Sequence, residues 1–319
     1  MTTLVTQADQ FGRREPVTAP GLAVTGAERN RALAGLIAAD GSPLLLPGVS
    51  DAIWAKLCAM NGASAVYVSG AGLTNTYYGL ADTGLISFPE MLSRVERIVE
   101  AVSIPVVVDA DTGYGGLTSV SRTASLLERA GASAIQIEDQ AMPKRCGHFD
   151  GKQLVTTSEM QERIDAIVQT RRDPGFLVIG RTDARATEGI DAAIERALAY
   201  VEAGADVIFV EAPQTLEEIK QIPSRIRSVP LLFNVVEGGH SPAISRNELA
   251  ALGYRIVLYA NFLLRTTLKA GAEALHALQD SPGEQVEDGL LSWEDRQSLV
   301  RLPQLDAFED DIRSRWQRT

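Results

Sequence analysis

Four acidic side chains, each at or just beyond the end of an apolar run, open the chemical reading of this 319-residue chain. They are Asp109 and Asp111 in VVVDADTGYGG, Glu138 in AIQIED and Glu211 in VIFVEA. Carboxylates crowded on one rim repel one another, and a cation relieves that repulsion. A strand that turns polar as it leaves the core explains one or two of these residues, but not four. The pattern therefore predicts a metal site. Asp109 and Asp111 stand two apart and face the same mouth if the strand is still extended there. Asp82, in the loop after the second apolar run, adds a further carboxylate. Oxygen ligands that leave room for water favour Mg²⁺, with Mn²⁺ as a substitute.

Other reactive types surround these acids. Cys146 lies in a glycine-containing loop beside Lys144, Arg145 and His148. Positive neighbours lower a thiol pKa and keep it reactive. Cys58 shares helical spacing with Trp54, Leu57 and Met60 and reads as core. Arg181 closes the run FLVIGR and could bind a carboxylate bidentately, or pair with Glu211 or Asp183. Gly70-Ala71-Gly72 follows Ser69 and reads equally as an anion nest or as a tight turn between strand and helix. A dinucleotide loop is disfavoured, because the glycine spacing is incomplete and no helix start directly follows.

Such residues need a frame. Eight short apolar runs recur, at Leu44–Pro47, Ala65–Ser69, Pro105–Asp109, Ala134–Glu138, Phe176–Arg181, Asp206–Glu211, Pro230–Asn234 and Arg255–Tyr259. Buried parallel strands read this way. Helical segments fall between them, at Thr118–Ala130, Ser158–Arg171 and Ile190–Ala203, with Gly or Asp-Pro stops. AGASAIQIED and EAGADVIFVEA echo one βα unit. Eight such units predict an (α/β)₈ barrel of the TIM type over residues 28–281, with an open doubly wound sheet as the weaker alternative. Residues 1–27 read as a flexible arm and 282–319 as a helical tail. Barrel chemistry sits at the C-terminal strand ends, where Ser69, Asp109, Glu138, Arg181, Glu211 and Asn234 fall.

Composition bounds the function. A formal charge of −11 disfavours nucleic acid and anionic membranes as partners, yet leaves room for a small anionic substrate. Two cysteines make no disulfide framework, the N-terminus lacks a secretory pattern, and no apolar stretch spans a bilayer. A cytoplasmic location is expected.

At this point YVSGAG, VDADTGYG, PKRCGH, GRTDA, VEAP and NVVEGG together resemble the isocitrate lyase and phosphoenolpyruvate mutase superfamily, from about Arg31 to Ala274. KRCGH resembles the lyase branch, which includes 2-methylisocitrate lyase and 2,3-dimethylmalate lyase. The resemblance implies a barrel whose last helix is swapped between subunits in a homotetramer, a dimer of dimers. It implies Mg²⁺ on Asp109 and Asp111, with Asp82 and Glu138 supporting the shell. Ser69, Gly70 and Ala71 would receive the oxo-acid carboxylate, with Lys144, Gly147 and His148 also against the substrate. Arg181, Glu211 and Asn234 would line the pocket. Cys146 would be the general acid.

The implied reaction cleaves a 2-hydroxy di- or tricarboxylate to pyruvate or another 2-oxo acid plus a carboxylic acid. A bound Mg²⁺ would polarise the hydroxyl and its neighbouring carboxylate. A base, for which Tyr67 is the candidate, takes the hydroxyl proton; Arg181 stabilises the carbanion, and Cys146 protonates it. Phe149-Asp150-Gly151-Lys152 stands where methylisocitrate lyases usually place Arg, and His240 stands in a segment closer to dimethylmalate-type lyases. Both favour a substituted malate over a tricarboxylate. Oxaloacetate hydrolysis to oxalate and acetate is the alternative; phosphonomutation and a non-catalytic dicarboxylate-binding barrel rank below it.

Overall fold

The computed structural model describes residues 22–142, 144, 151–280 and 290–317. In it the eight apolar runs form β1 (Leu44–Val49), β2 (Val66–Val68), β3 (Val106–Asp109), β4 (Ala134–Glu138), β5 (Leu177–Thr182), β6 (Val207–Val210), β7 (Leu231–Asn234) and β8 (Ile256–Tyr259). Each strand is parallel to its neighbours, and β8 pairs with β1, so the sheet closes into a barrel in sequence order. Closure removes every sheet edge. The open-sheet alternative is thereby excluded.

Period two does the sorting inside each strand. Leu46, Tyr67, Val107, Ala134, Ile179, Phe209, Leu232 and Leu258 fill the barrel interior, while their chain neighbours pack outward against helices. Continuing each inward series one step toward the C-terminal mouth reaches Ser69, Asp109, Gln136 and then Glu138, Arg181, Glu211 and Asn234. The same alternation that builds an apolar interior thus delivers the polar rim. β4 and β5 pair Glu138 directly with Arg181.

The helices follow their signals to within a residue: α5 is Leu117–Ala130, α6 is Thr157–Thr170 and α8 is Ile190–Glu202. Gly131, at φ 91°, ends α5 in the left-handed conformation that favours glycine. The remaining helices around the barrel are α2 (Ala52–Met60), α3 (Gly70–Leu73), α4 (Phe88–Ala101), α7 (Ala184–Glu188), α9 (Leu216–Arg225) and α10 (Arg246–Leu252).

The expected N-terminal arm runs two residues too far. Helix α1 (Gly26–Ala38) begins inside it, because Thr25 and Glu28 form a reciprocal capping box. Leu33 and Ile37 of α1 pack with the interior residues. Residues 1–21 of that arm lie outside the described residues. The C-terminal tail contains α12 (Trp293–Leu299) and α13 (Leu302–Trp316), after the long α11 (Phe262–Asp280). Among the described residues no helix is long and apolar enough to cross a membrane. Cys58 is buried in the core, as its spacing predicts, and burial pushes its thiol up to about 11. A thiol held there is inert near neutral pH.

Candidate active site

The strand ends surround a cavity of about 470 Å³. Tyr67, Ser69, Ala71, Asp82, Asp109 and Glu138 line one side, and Lys144, Arg181, Glu211 and Asn234 contribute further wall. The structure therefore brings together most of the residues singled out from sequence. Cys146, Gly147 and His148 lie outside the described residues.

Asp109 and Asp111 do converge, but not through continued extension. Strand β3 ends at Asp109, and Asp111 has φ 49°, a left-handed conformation that costs a non-glycine residue about 1 kcal/mol. A tight turn folds Asp111 back, so that its N–H donates to Asp109 Oδ1 at 3.2 Å. Gln136 Nε2 donates to the same oxygen at 3.3 Å.

The glycine segment also departs from expectation. A helix start does follow Ser69 directly: α3 begins at Gly70, with Ser69 Oγ accepting from the Gly72 N–H at 3.1 Å. Gly70 N–H donates to Asp109 Oδ2 at 3.3 Å. A Cβ on Gly70 would stand 3.2 Å from Asp111 Oδ1 and 3.3 Å from Asp109 Oδ2. Glycine here lets the helix N-terminus approach the acid pair closely. A π-helical turn, Thr74–Tyr78, continues the segment.

Three cations answer the acids. Lys144 Nζ stands 2.5 Å from Asp111 Oδ1 and 2.7 Å from Asp82 Oδ1. Burial alone would lower the Lys144 pKa, but Asp111, Glu138, Asp109 and Asp82 raise it well above the usual range. Burial pushes the Asp111 carboxyl up to about 7; Lys144 opposes that shift, while Asp109 and Asp82 add to it. Arg181 grips Asp183 through Nε at 2.9 Å and Nη2 at 3.1 Å, with Glu138 at 3.4 Å and Glu211 at 3.5 Å. The sequence allows pairing with Glu211 or Asp183; the structure flanks Arg181 with both, and with Glu138 as a third carboxylate. Lys152 Nζ meets Asp183 Oδ1 at 3.0 Å.

Tyr67 is fully enclosed. Its hydroxyl donates to Gln136 Oε1 at 3.0 Å. Burial, then Asp109, hold its pKa well above the ordinary phenol value, against the pull of Arg181.

A divalent ion fits this acid cluster in a particular way. Among the described residues no three His, Cys, Asp or Glu side chains stand close enough to enclose a metal by themselves. Asp109 and Asp111 are nevertheless buried side by side, and Glu138 Oε1 is buried with no hydrogen-bond partner among the described residues. Two carboxylates plus waters and substrate oxygens are what Mg²⁺ commonly accepts.

The outer wall contains residues that sequence reasoning assigned no role: Asn261 just before α11, Arg265 in its first turn, and Glu237–Gly239 after β7. Arg265 Nη1 donates to the Glu237 carbonyl at 2.6 Å. His240, noted in sequence as a departure, lies beside them. Arg265 escaped notice because it sits on a helix whose pattern shows amphipathicity but not which turn meets the mouth. Gln136 could have been found: it is a polar residue inside a fully buried strand, two before Glu138.

Comparison with known proteins accounts for this geometry. The family model described as phosphoenolpyruvate phosphomutase matches residues 34–279. The chain belongs to the phosphoenolpyruvate mutase/isocitrate lyase superfamily. Within the superfamily it is 42% identical over 267 residues to 2,3-dimethylmalate lyase of Eubacterium barkeri, covering 83% of this chain and 92% of that one. It is 44% identical over 256 residues to 2-methylisocitrate lyase of Bacillus subtilis (strain 168), covering 80% and 83%. Solved members superpose closely. A 2,3-dimethylmalate lyase gives a TM-score of 0.82 at 35% identity, over 91% of this chain and 96% of that one. Oxaloacetate acetylhydrolase with 3,3-difluorooxalacetate gives 0.83 at 32%, over 93% and 98%. Phosphonopyruvate hydrolase with oxalate and Mg²⁺ gives 0.80 at 31%, over 88% and 98%.

Proposed function

We propose that this chain is a Mg²⁺-dependent carbon–carbon lyase that cleaves an alkyl-substituted malate to a 2-oxo acid and a carboxylic acid. The observation that carries the reading is one cavity lined by the Asp109 carboxylate, with Asp111 folded against it, and by the Arg181 guanidinium. The identity to 2,3-dimethylmalate lyase and 2-methylisocitrate lyase supports it.

Asp109 and Asp111 would hold Mg²⁺, with Asp82 and Glu138 behind them and Mn²⁺ able to substitute. The ion would supply Lewis acidity at the substrate hydroxyl and its adjacent carboxylate. Ser69, Gly70 and Ala71 receive that carboxylate at the N-terminus of α3, where the helix dipole favours negative charge. Lys144, Gly147 and His148 also meet the substrate. The hydroxyl proton passes to a rim carboxylate, for which Glu138 stands in the cavity with its Oε1 unpartnered among the described residues, as the C–C bond breaks and its electron pair goes to the departing carbon. Arg181 stabilises that carbanion, whose charge spreads onto the attached carboxylate, and the Cys146 thiol delivers a proton to carbon. Glu211 and Asn234 shape the wall around it.

Tyr67 takes a different part from the base suggested by its position. Its hydroxyl donates to Gln136, whose amide donates to Asp109, so Tyr67 orients Gln136 and through it Asp109. For size discrimination, Lys152 is turned onto Asp183 and is not offered to a third carboxylate. Arg265 is left as the cation on the outer wall for a second one.

The test is a panel of substituted malates, citramalate, 2-methylisocitrate, isocitrate and oxaloacetate, with products resolved by mass spectrometry. Release of a 2-oxo acid from a substituted malate is expected, with the tricarboxylates at least ~10-fold poorer in kcat/KM. Oxalate and acetate from oxaloacetate, with no 2-hydroxy acid cleaved, would replace the lyase reading by hydrolysis.

A cytoplasmic homotetramer, a dimer of dimers with α11 exchanged between subunits, completes the proposal. Helix α11 contains no buried residue, and its Leu268 and Leu275 are 63% and 61% exposed. Nineteen residues with an apolar face in water favour a covering partner. Sedimentation equilibrium is expected to give four chains; a monomer at micromolar concentration would overturn the assembly.

A further inference from the structure

The third cation of the site, Lys152, belongs to a segment that sequence comparison treats as the loss of a substrate-binding charge. The charge is not lost but turned inward. The Lys152 side chain is 1% exposed and that of its partner Asp183 is 0%. Burying a charge is costly unless it is paired, so a lysine this deep calls for an explanation beyond surface solvation.

Asp183 is where several constraints meet. Its Oδ1 accepts from both Lys152 Nζ at 3.0 Å and Arg181 Nη2 at 3.1 Å, and its Oδ2 accepts from Arg181 Nε at 2.9 Å. Its backbone N–H donates to Asp139 Oδ1 at 2.9 Å. Asp139 Oδ2 in turn accepts from Thr182 Oγ1 and Tyr200 Oη, both at 2.7 Å. The main chain beneath Asp183 is thus tied to the end of β4, while the carboxylate is shared by two cations.

Charge counting shows what the sharing achieves. Asp183, Glu138 and Glu211 all stand within 3.5 Å of Arg181. One guanidinium among three carboxylates has no reason to choose a single partner geometry. Lys152 neutralises Asp183 from behind, lets it stay ionised in a dry setting, and leaves it free to take the Nε–Nη2 edge of Arg181. That edge-on grip fixes the plane of the guanidinium. Among the described residues Arg181 Nη1 makes no hydrogen bond, so this is the group left for the reacting molecule.

We infer that Lys152 is a positioning residue for Arg181, acting through Asp183 rather than touching the substrate. The inference rests on the lyase reading for its kinetic arm only. A catalytic donor displaced by a fraction of an ångström loses much of its effect on the transition state while substrate binding changes little.

The test compares Lys152→Met, Lys152→Arg, Asp183→Asn and the Lys152→Met/Asp183→Asn double variant by steady-state kinetics, thermal unfolding and crystallography. Lys152→Met is expected to lower kcat about 10–100-fold with KM within about 3-fold, as befits loss of an interaction made in the transition state. Lys152→Arg is expected to recover part of the loss. The double variant is expected to be no slower than Asp183→Asn alone, because both act on one path. In the Lys152→Met crystal structure Arg181 is expected to leave its two-point contact with Asp183. A variant with a lower Tm but wild-type kcat would reduce Lys152 to a stabilising counter-ion and overturn the inference. So would a guanidinium that has not moved. If Lys152→Met does not fold, the double variant, which removes both charges together, decides: slower turnover than Asp183→Asn refutes action through Asp183. If the wild type cleaves none of the acids, the lyase reading fails, and the crystal structure still decides the role of Lys152.

Discussion

Asp109→Asn is expected to lower kcat/KM by at least ~10³-fold, since a bound metal supplies several kcal/mol of charge stabilisation and each 1.36 kcal/mol is tenfold. The substitution keeps the shape of the side chain, so its packing in the rim survives. It removes the charge that faces the cavity and converts an acceptor for Gly70 N–H and Gln136 Nε2 into a group with one acceptor and one donor end. Two measurements separate the causes. Titration calorimetry with Mg²⁺ and Mn²⁺ should show weakened binding in the variant. Circular dichroism should show the same barrel. Chelation with EDTA should silence the wild type, and excess Mg²⁺ should restore it. A chelated wild type at full activity would rule out the metal and with it the role assigned to Asp109 and Asp111.

Gly48→Ala is expected to destabilise the barrel by roughly 3 kcal/mol or more, the upper range for an overpacked site. Gly48 occupies the next inward position after Leu44 and Leu46 on β1, where a side chain is normally welcome. Here the chain leaving β8 crosses too closely. A Cβ at Gly48 would lie 2.0 Å from the Ala260 carbonyl oxygen and 2.5 Å from its carbon. Both are backbone atoms in a closed sheet, so relief requires the β1–β8 seam to part. The seam is the closure of the barrel, and Leu258, Ala260 and Asn261 beyond it line the cavity. At 319 residues, with about 2.1 cal/mol/K of unfolding entropy per residue, the loss corresponds to a fall of about 4–5 °C or more in Tm. Differential scanning calorimetry checks it, and a variant melting with the wild type would show that the seam yields more readily than its geometry states.

The two variants separate what was legible in the sequence from what was not. Asp109 belongs to a pattern visible in one dimension. Apolar runs of four to six residues ending in Asp, Glu, Arg or Asn announce buried parallel strands with a polar mouth, and their number announces closure. The rim residues Ser69, Asp109, Glu138, Arg181, Glu211 and Asn234 follow, because period two and the polarity at the C-terminal strand ends are local properties. Gly48 belongs to the other class. Nothing around Leu46-Pro47-Gly48 reveals that Ala260, more than two hundred residues later, passes over it.

The same division runs through the site. The sequence places Asp109 and Asp111 near each other whatever the backbone does. It suggests extension, whereas Asp111 stands in a turn at φ 49°, with its carboxylate against Lys144 from another segment. Arg265 and Lys152 carry charges whose direction no spacing predicts: one turns to the outer wall, the other into the protein onto Asp183. Strand period and helix stops depend on neighbours within a turn or two, so the chain alone determines the barrel and the acids at its mouth. Which cation answers which carboxylate depends on distances between segments far apart in sequence. Only the closed tertiary structure decides that, because the electrostatic energy of a buried pair is settled by ångströms of separation and by the exclusion of water.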